Sequence, residues 1–341
     1  MKTPLQDFSE EWRDAVLNLL WRQWCALGVP GHGSPYRTAL VDPEALIVAT
    51  AFHARTEPRL FDEMLEWLLV NQGFVNVQRL KRLAAESAAS AVVGALATWL
   101  AQETRTAKWT RAARTLSKPA EEPQPLFRFA DGRPLPVLRD PFGPFRDAGF
   151  LRDMFLPRGH GRLFAADEPA AAVLKLRAAM GLTCRAEIVA WLLTHKEGTA
   201  SGIARACAFA QRTVHDSLVE MRASGLVAAS GHGREVRVYL NAGLWRAWLG
   251  FAAAPLAWVA WRETFRLFEY ISQAVDEPRQ RDAVGASLAM NVAVLLRDAA
   301  PLARAAGFAP LWSRLVPATI ADPAAALHAV AMGTLGAVDE S

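Results

Sequence analysis

The chain has 341 residues, 52% of them hydrophobic and 21% charged, with a formal net charge of +4. That balance excludes a disordered or highly charged tail and supplies core material for two to three domains. The three cysteines, Cys25, Cys184 and Cys207, are far apart and form no CxxC pair, which argues against a disulfide scaffold and fits a reducing cytoplasm.

The first residues, Met-Lys-Thr-Pro-Leu-Gln-Asp, contain no apolar run, so no signal peptide is expected. Ser9 is placed to cap a helix carrying Trp12, Val16, Leu17, Leu20, Trp21 and Trp24, and the glycine- and proline-rich run 28–35 ends it. Asp42 and Pro43 give a cap followed by a proline at the first helical position, and Glu57-Pro58 opens a third helix. Residues 74–83 read either as the basic helix of a degenerate helix-turn-helix or as an ordinary helical scaffold with one basic face. The Ala-rich run 84–101 reads as a packed helix. Residues 1–116 are thus expected to form a helical N-terminal domain.

Residues 117–168 read as a linker. Eight of the chain's twenty prolines lie between positions 117 and 158, and proline fixes φ and removes a donor, so regular structure cannot run through. Leu126, Phe127, Phe129, Phe142, Phe145 and Phe150 lie in the same segment, which predicts a loop pinned to the globular parts.

Residues 169–243 carry the most specific pattern. A helix from about 169 to 180 leads into three shorter ones, at about 185–195, 200–206 and 211–224. In the last of these, Val214, Leu218 and Met221 recur at i, i+4 and i+7 and form a core face. Gln211, Arg212, Thr213 and His215 lie in its first two turns and off that face, with side chains able to hydrogen-bond to bases or phosphates. Gly225 ends the helix. Residues 226–230 and 234–240 then read as two strands around a Gly231-His232-Gly233 turn.

This unit resembles the winged helix-turn-helix domains of MarR-, ArsR- and GntR-like bacterial transcriptional regulators. Arg212-Thr213-Val214, Leu218, Met221, Gly225-Leu226-Val227 and the basic hairpin carry the resemblance, which covers about 60 of the 341 residues. It implies that Gln211, Arg212, Thr213 and His215 contact bases, and that the wing residues His232, Gly233 and Arg234 meet backbone or minor groove. Ser201, at the start of the preceding helix, and Arg237, on the second strand, complete the candidate DNA contacts. Asp216 departs from the pattern, because many relatives carry a basic or neutral polar residue there.

Residues 244–341 read as a helical, Trp-rich region for dimerisation or for binding a partner or effector. Leu244 to Trp261 could be mistaken for a membrane span, but Arg246 and Pro255 interrupt it, and a buried or dimer-forming helix is expected instead. Further helices are predicted at about 279–298 and 322–336. The whole is mainly α, with a small β-hairpin wing at its centre.

Between Leu174 and Leu240 nine Lys and Arg face five acids, an excess as large as that of the whole chain, placed where a polyanion would dock. No P-loop, dinucleotide fingerprint, GxSxG or HExxH occurs, so no enzyme, cofactor or metal site is expected. Gly-His-Gly recurs at 31–33 and 159–161; the latter, flanked by Arg158 and Arg162, reads as a plain turn or as a second loop touching DNA. The expected partners are double-stranded DNA and a second copy of the chain. The competing reading is a protein-interaction module, such as an autoregulating antitoxin or a defence-system component, with a protein partner.

Overall fold

The computed structural model describes residues 3–31, 34–37, 39–116, 122–231, 236–251, 256–277, 283–316 and 322–339. Helix α1 (Pro4–Ala26) is capped by Thr3, six residues before the predicted Ser9 cap. Thr3 accepts from the Gln6 amide at 3.3 Å and the Gln6 side chain accepts from the Thr3 amide at 3.0 Å, so this reciprocal pair and Pro4 set the start. Ser9 therefore lies inside the helix, where its hydroxyl donates to Asp276 at 2.6 Å. The Asp42-Pro43 signal does start α2 (Pro43–His53), with the Asp42 carboxylate accepting from the Ala45 amide at 3.1 Å.

Helices α3 (Pro58–Asn71), α4 (Val77–Ala85), α5 (Ser90–Thr104) and α6 (Ala107–Leu116) complete the N-terminal part. Two buried indoles of this part have their N–H groups engaged: Trp24 on α1 donates to Thr50 Oγ1 at 2.8 Å and Trp67 on α3 to the Leu27 carbonyl at 2.9 Å.

The proline-rich segment is held against this body, as its aromatic content predicts. Its strands β1 (Gln124–Pro125) and β2 (Phe150–Leu151) pair in parallel, with the short helix α7 (Gly143–Arg146) between them. The Arg152 guanidinium lies 5.3–5.9 Å from the ring centroids of Phe61, Phe127, Phe145 and Phe155 and donates to Asp62 at 2.7 Å. One cation thus ties the loop to α3 by cation–π attraction and an ion pair.

The C-terminal helices are α13 (Trp261–Asp276), α14 (Gly285–Ala305), α15 (Ala309–Leu315) and α16 (Pro323–Asp339). They share one hydrophobic core with α1 to α6 and the proline-rich segment. Trp12 donates to Ser272 at 2.9 Å and packs edge-on to Phe268, and Trp261 donates to the Leu40 carbonyl at 2.7 Å. Region 1–116 and the helices from Trp261 onward, separate in the sequence reading, therefore share one packed body, while Leu249, Phe251 and Leu256, expected in the C-terminal region, pack in a second core. The 18-residue apolar stretch from Leu244 is not one helix: α12 (Ala242–Leu249) stops at Gly250, whose φ of +79° is left-handed. The helix Gly285–Ala305 has the length and composition of a membrane span, and its Leu288, Val292, Leu295 and Leu296 are buried in the shared core.

A second, smaller core is formed by residues 172–256 together with Leu40. Two small sheets accompany a mainly helical chain.

Candidate nucleic-acid interface

Helix α8 (Ala172–Met180) enters the second core and packs on α9 (Cys184–Thr194). The Thr199 hydroxyl accepts from the Gly202 amide at 3.1 Å and starts α10 (Ala200–Ala206). The connection onward turns on Ala208, whose φ of +56° is left-handed, a geometry that costs a non-glycine residue about 1–2 kcal/mol. Helix α11 (Gln211–Ala223) follows and packs on α9 and α10.

Val214, Leu218 and Met221 are buried, as their spacing predicts. Gly225, at φ +72°, ends the turn after α11, and the chain returns as β3 (Ala228–Ser230) antiparallel to β4 (Arg237–Tyr239). Gly198 adds a third lane: its amide donates to the Val238 carbonyl at 2.9 Å and its carbonyl accepts from the Val238 amide at 2.8 Å. Only glycine fits there, because a Cβ would stand 2.3 Å from the Trp191 ring.

The structure brings Gln211, Arg212, Thr213 and His215 together on the exposed first turns of α11, with the Arg212 side chain 93% exposed. Ser201 is exposed at the start of α10, its hydroxyl 3.2 Å from that of Thr199. Arg237 is exposed on β4 and donates to Glu197 at 3.1 Å. His232, Gly233 and Arg234 lie outside the described residues.

The basic surplus is thinner at the surface than along the sequence. On α11, Arg212 and Arg222 are balanced by Asp216 and Glu220; Asp216 stands 3.8 Å from Arg212, and Glu220 pairs with Arg185. Lys175 donates to the Ala166 and Leu249 carbonyls. Arg177 is buried altogether. It donates to both oxygens of Glu44 at 2.7 Å and, through Nε and Nη2, to Glu187 at 2.8 and 2.6 Å.

Arg79 is the other half of this buried cluster. It donates to Glu44 at 2.9 Å, to the Cys207 carbonyl at 3.0 Å, and to Asp42 in a two-armed pair. Burial alone would raise the Asp42 carboxyl; the Arg79 charge and hydrogen bonds outweigh that and hold it below its ordinary value. Arg79 is thus a buried tie between α4 and the end of α10, and it is not part of an exposed basic face such as a second helix-turn-helix would present.

The loop at 158–162 has its backbone donors already engaged. The Glu66 carboxylate accepts from the amides of Arg158, His160 and Gly161, the last two at 2.6 and 3.0 Å. A phosphate could bind there only by displacing a carboxylate of the protein itself. Cys184 and Cys207 are buried thiols, and burial raises both well into the un-ionised range at neutral pH. Among the described residues no three His, Cys, Asp or Glu side chains cluster as metal ligands.

No protein-family model, curated protein or solved structure matches the chain.

Proposed function

We propose that residues 169–243 are a winged helix-turn-helix and that the protein is a sequence-specific, double-stranded-DNA-binding transcriptional regulator acting as a homodimer. One observation carries this reading. The side of α11 built from Val214, Leu218 and Met221 is buried, while the four hydrogen-bonding side chains of its first turns point outward together. A helix presented in this way fits the major groove, about 12 Å wide, and its N-terminal end reaches base edges. In this reading the hairpin of β3 and β4, joined to the unit through Gly198, serves as the wing that clamps the backbone. Titration of the chain with its native upstream DNA, read by fluorescence anisotropy at two salt concentrations, tests the reading. Tighter binding than to scrambled DNA, weakening with salt, supports it; equal or undetectable binding overturns it.

A second reading is favoured by a separate observation. Leu244 and Trp248 on α12 are 69% and 56% exposed, and the charges of α11 cancel. Both features suit a protein-docking face. A stoichiometric complex with a neighbouring gene product, lost in Trp248→Glu and retained in Arg212→Ala, would select this reading.

A further inference from the structure

A cavity in the shared body lies far along the chain from the candidate DNA contacts. It encloses about 670 Å³ between α1, the end of α2, the turn at 128–133 and the end of α13. That volume is of the size that holds one small organic molecule.

Its chemistry is uneven. Four arginines line it, Arg13, Arg55, Arg128 and Arg133, against two carboxylates, Asp131 and Asp276. Asp131 is taken by Arg133 at 2.6 Å, and Asp276 accepts the Ser9 hydroxyl. Arg55 meets no carboxylate among the described residues; its guanidinium donates to the carbonyls of Leu126 and Pro125 at 2.8 and 3.1 Å. Burial pushes the Arg55 guanidinium down from its ordinary value, and the charge of Arg128 pushes it further the same way. An anion bound beside these two cations would offset the charge of Arg55, unpaired among the described residues.

The remaining lining is partly aromatic and partly small or polar, with Ser9, Thr56, Ser272 and Gln273 among the latter. Trp12, Phe52 and His53 line the cavity from α1 and α2, and Phe129 from the turn. The Trp12 side chain is buried, packs on Phe8 and Phe268, and donates its indole N–H to Ser272, so it backs the cavity wall. His53 Nε2 and Thr56 Oγ1 are buried and find no hydrogen-bond partner among the described residues, so this part of the lining also holds unmet hydrogen-bonding capacity.

We propose that this cavity is a binding site for a small organic anion with a flat ring, its carboxylate or phosphate held by Arg55 and Arg128 and its ring lying against Phe52 and Phe129. Arginine suits both parts, because its planar fork pairs with such oxyanions and stacks on aromatic faces. The site stands independently of what the exposed turns of α11 bind.

Isothermal titration of the full chain with salicylate, adenosine monophosphate and inorganic phosphate tests the assignment, with benzyl alcohol as the uncharged control. At least one ring-bearing anion is expected to bind with a Kd tighter than about 1 mM, and benzyl alcohol more weakly. Arg128→Ser, at an exposed side chain with no ion pair among the described residues, is expected to weaken that anion about tenfold. Arg314→Ser, which removes an exposed cation outside the cavity, is expected to leave it unchanged. Should Arg128→Ser lose its folded circular-dichroism spectrum, Arg133→Ser is measured in its place. The proposal is overturned if no anion binds below that limit, if benzyl alcohol binds as tightly, or if the cavity and control variants bind alike.

Discussion

Arg177 and Glu44 form a two-armed ion pair with both side chains buried, Nη1 to Oε1 and Nη2 to Oε2 at 2.7 Å each. The two residues stand 133 positions apart, one on the helix that leads into the smaller core and one near the start of α2. Glu44 also accepts from Arg79 and from the Asn76 amide at 2.7 Å, and Arg177 also donates to the Phe74 carbonyl at 2.8 Å. Buried charges persist only when paired and hydrogen-bonded, so this cluster fixes where the smaller core sits on the body.

Breaking one member leaves its partners charged and dry. Glu44→Gln should therefore lower unfolding stability by about 3–5 kcal/mol. The double variant Glu44→Leu with Arg177→Met removes both charges and should cost less than the sum of its two single changes, by about 0.5–3 kcal/mol. Urea unfolding of the parent and the four variants measures this. A loss below about 1 kcal/mol for Glu44→Gln would show that the cluster does not anchor the unit.

On α11 the contacts proposed for DNA are exposed, so their loss should leave the fold alone. Arg212→Ala and Gln211→Ala should keep the melting temperature and weaken specific DNA binding by about 1–3 kcal/mol each. Asp216→Asn should act in the opposite direction, because an acid 3.8 Å from Arg212 competes with DNA for that guanidinium and repels phosphate. Anisotropy titrations with matched DNA check both signs, and a weaker Asp216→Asn complex would contradict the orientation proposed for the helix.

What could be read in the sequence was local, and what could not was the partner. Asp42-Pro43 announces α2, and the spacing of Val214, Leu218 and Met221 announces the buried side of α11, because caps and helical periodicity are short-range properties. The Ser9 cap failed because Thr3, Pro4 and Gln6 supply a stronger start a few residues earlier, and Ser9 bonds instead to a residue 267 positions away. Arg79 looked like part of a basic face. A sequence shows a charge without the acids at positions 42 and 44 that bury it. The shared core of α1 and α13 was hidden for the same reason: each shows an apolar stripe, and neither shows what covers it.

Gly198 offers a test of how the hairpin is attached. An added methyl group would stand 2.3 and 2.5 Å from two atoms of the Trp191 ring, which is itself stacked on His195 at 3.8 Å. The ring cannot yield without disturbing that stack. Gly198→Ala should therefore destabilise by about 1–3 kcal/mol and free the Val238 amide for hydrogen exchange. Unchanged protection at Val238 would mean that the two backbone bonds to Gly198 survive the substitution.

The last prediction concerns acid. His53 is 8% exposed, and burial holds its imidazole down to about 3, against an ordinary value of about 6.5. Between those values the unfolded chain binds a proton that the folded chain refuses, so stability falls as pH drops through that window. The slope contributed by one such group is at most about 1.4 kcal/mol per pH unit. Asp42 acts lower down: its folded carboxyl is held below the ordinary value, so its contribution is intact above about pH 4 and is lost as pH falls through the folded value. His53→Gln should accordingly flatten the stability profile between pH 6.5 and about 4.5 and leave the loss below pH 4 in place. Urea unfolding at several pH values separates the two windows. A His53→Gln profile parallel to that of the parent would show that the buried imidazole takes up its proton without unfolding.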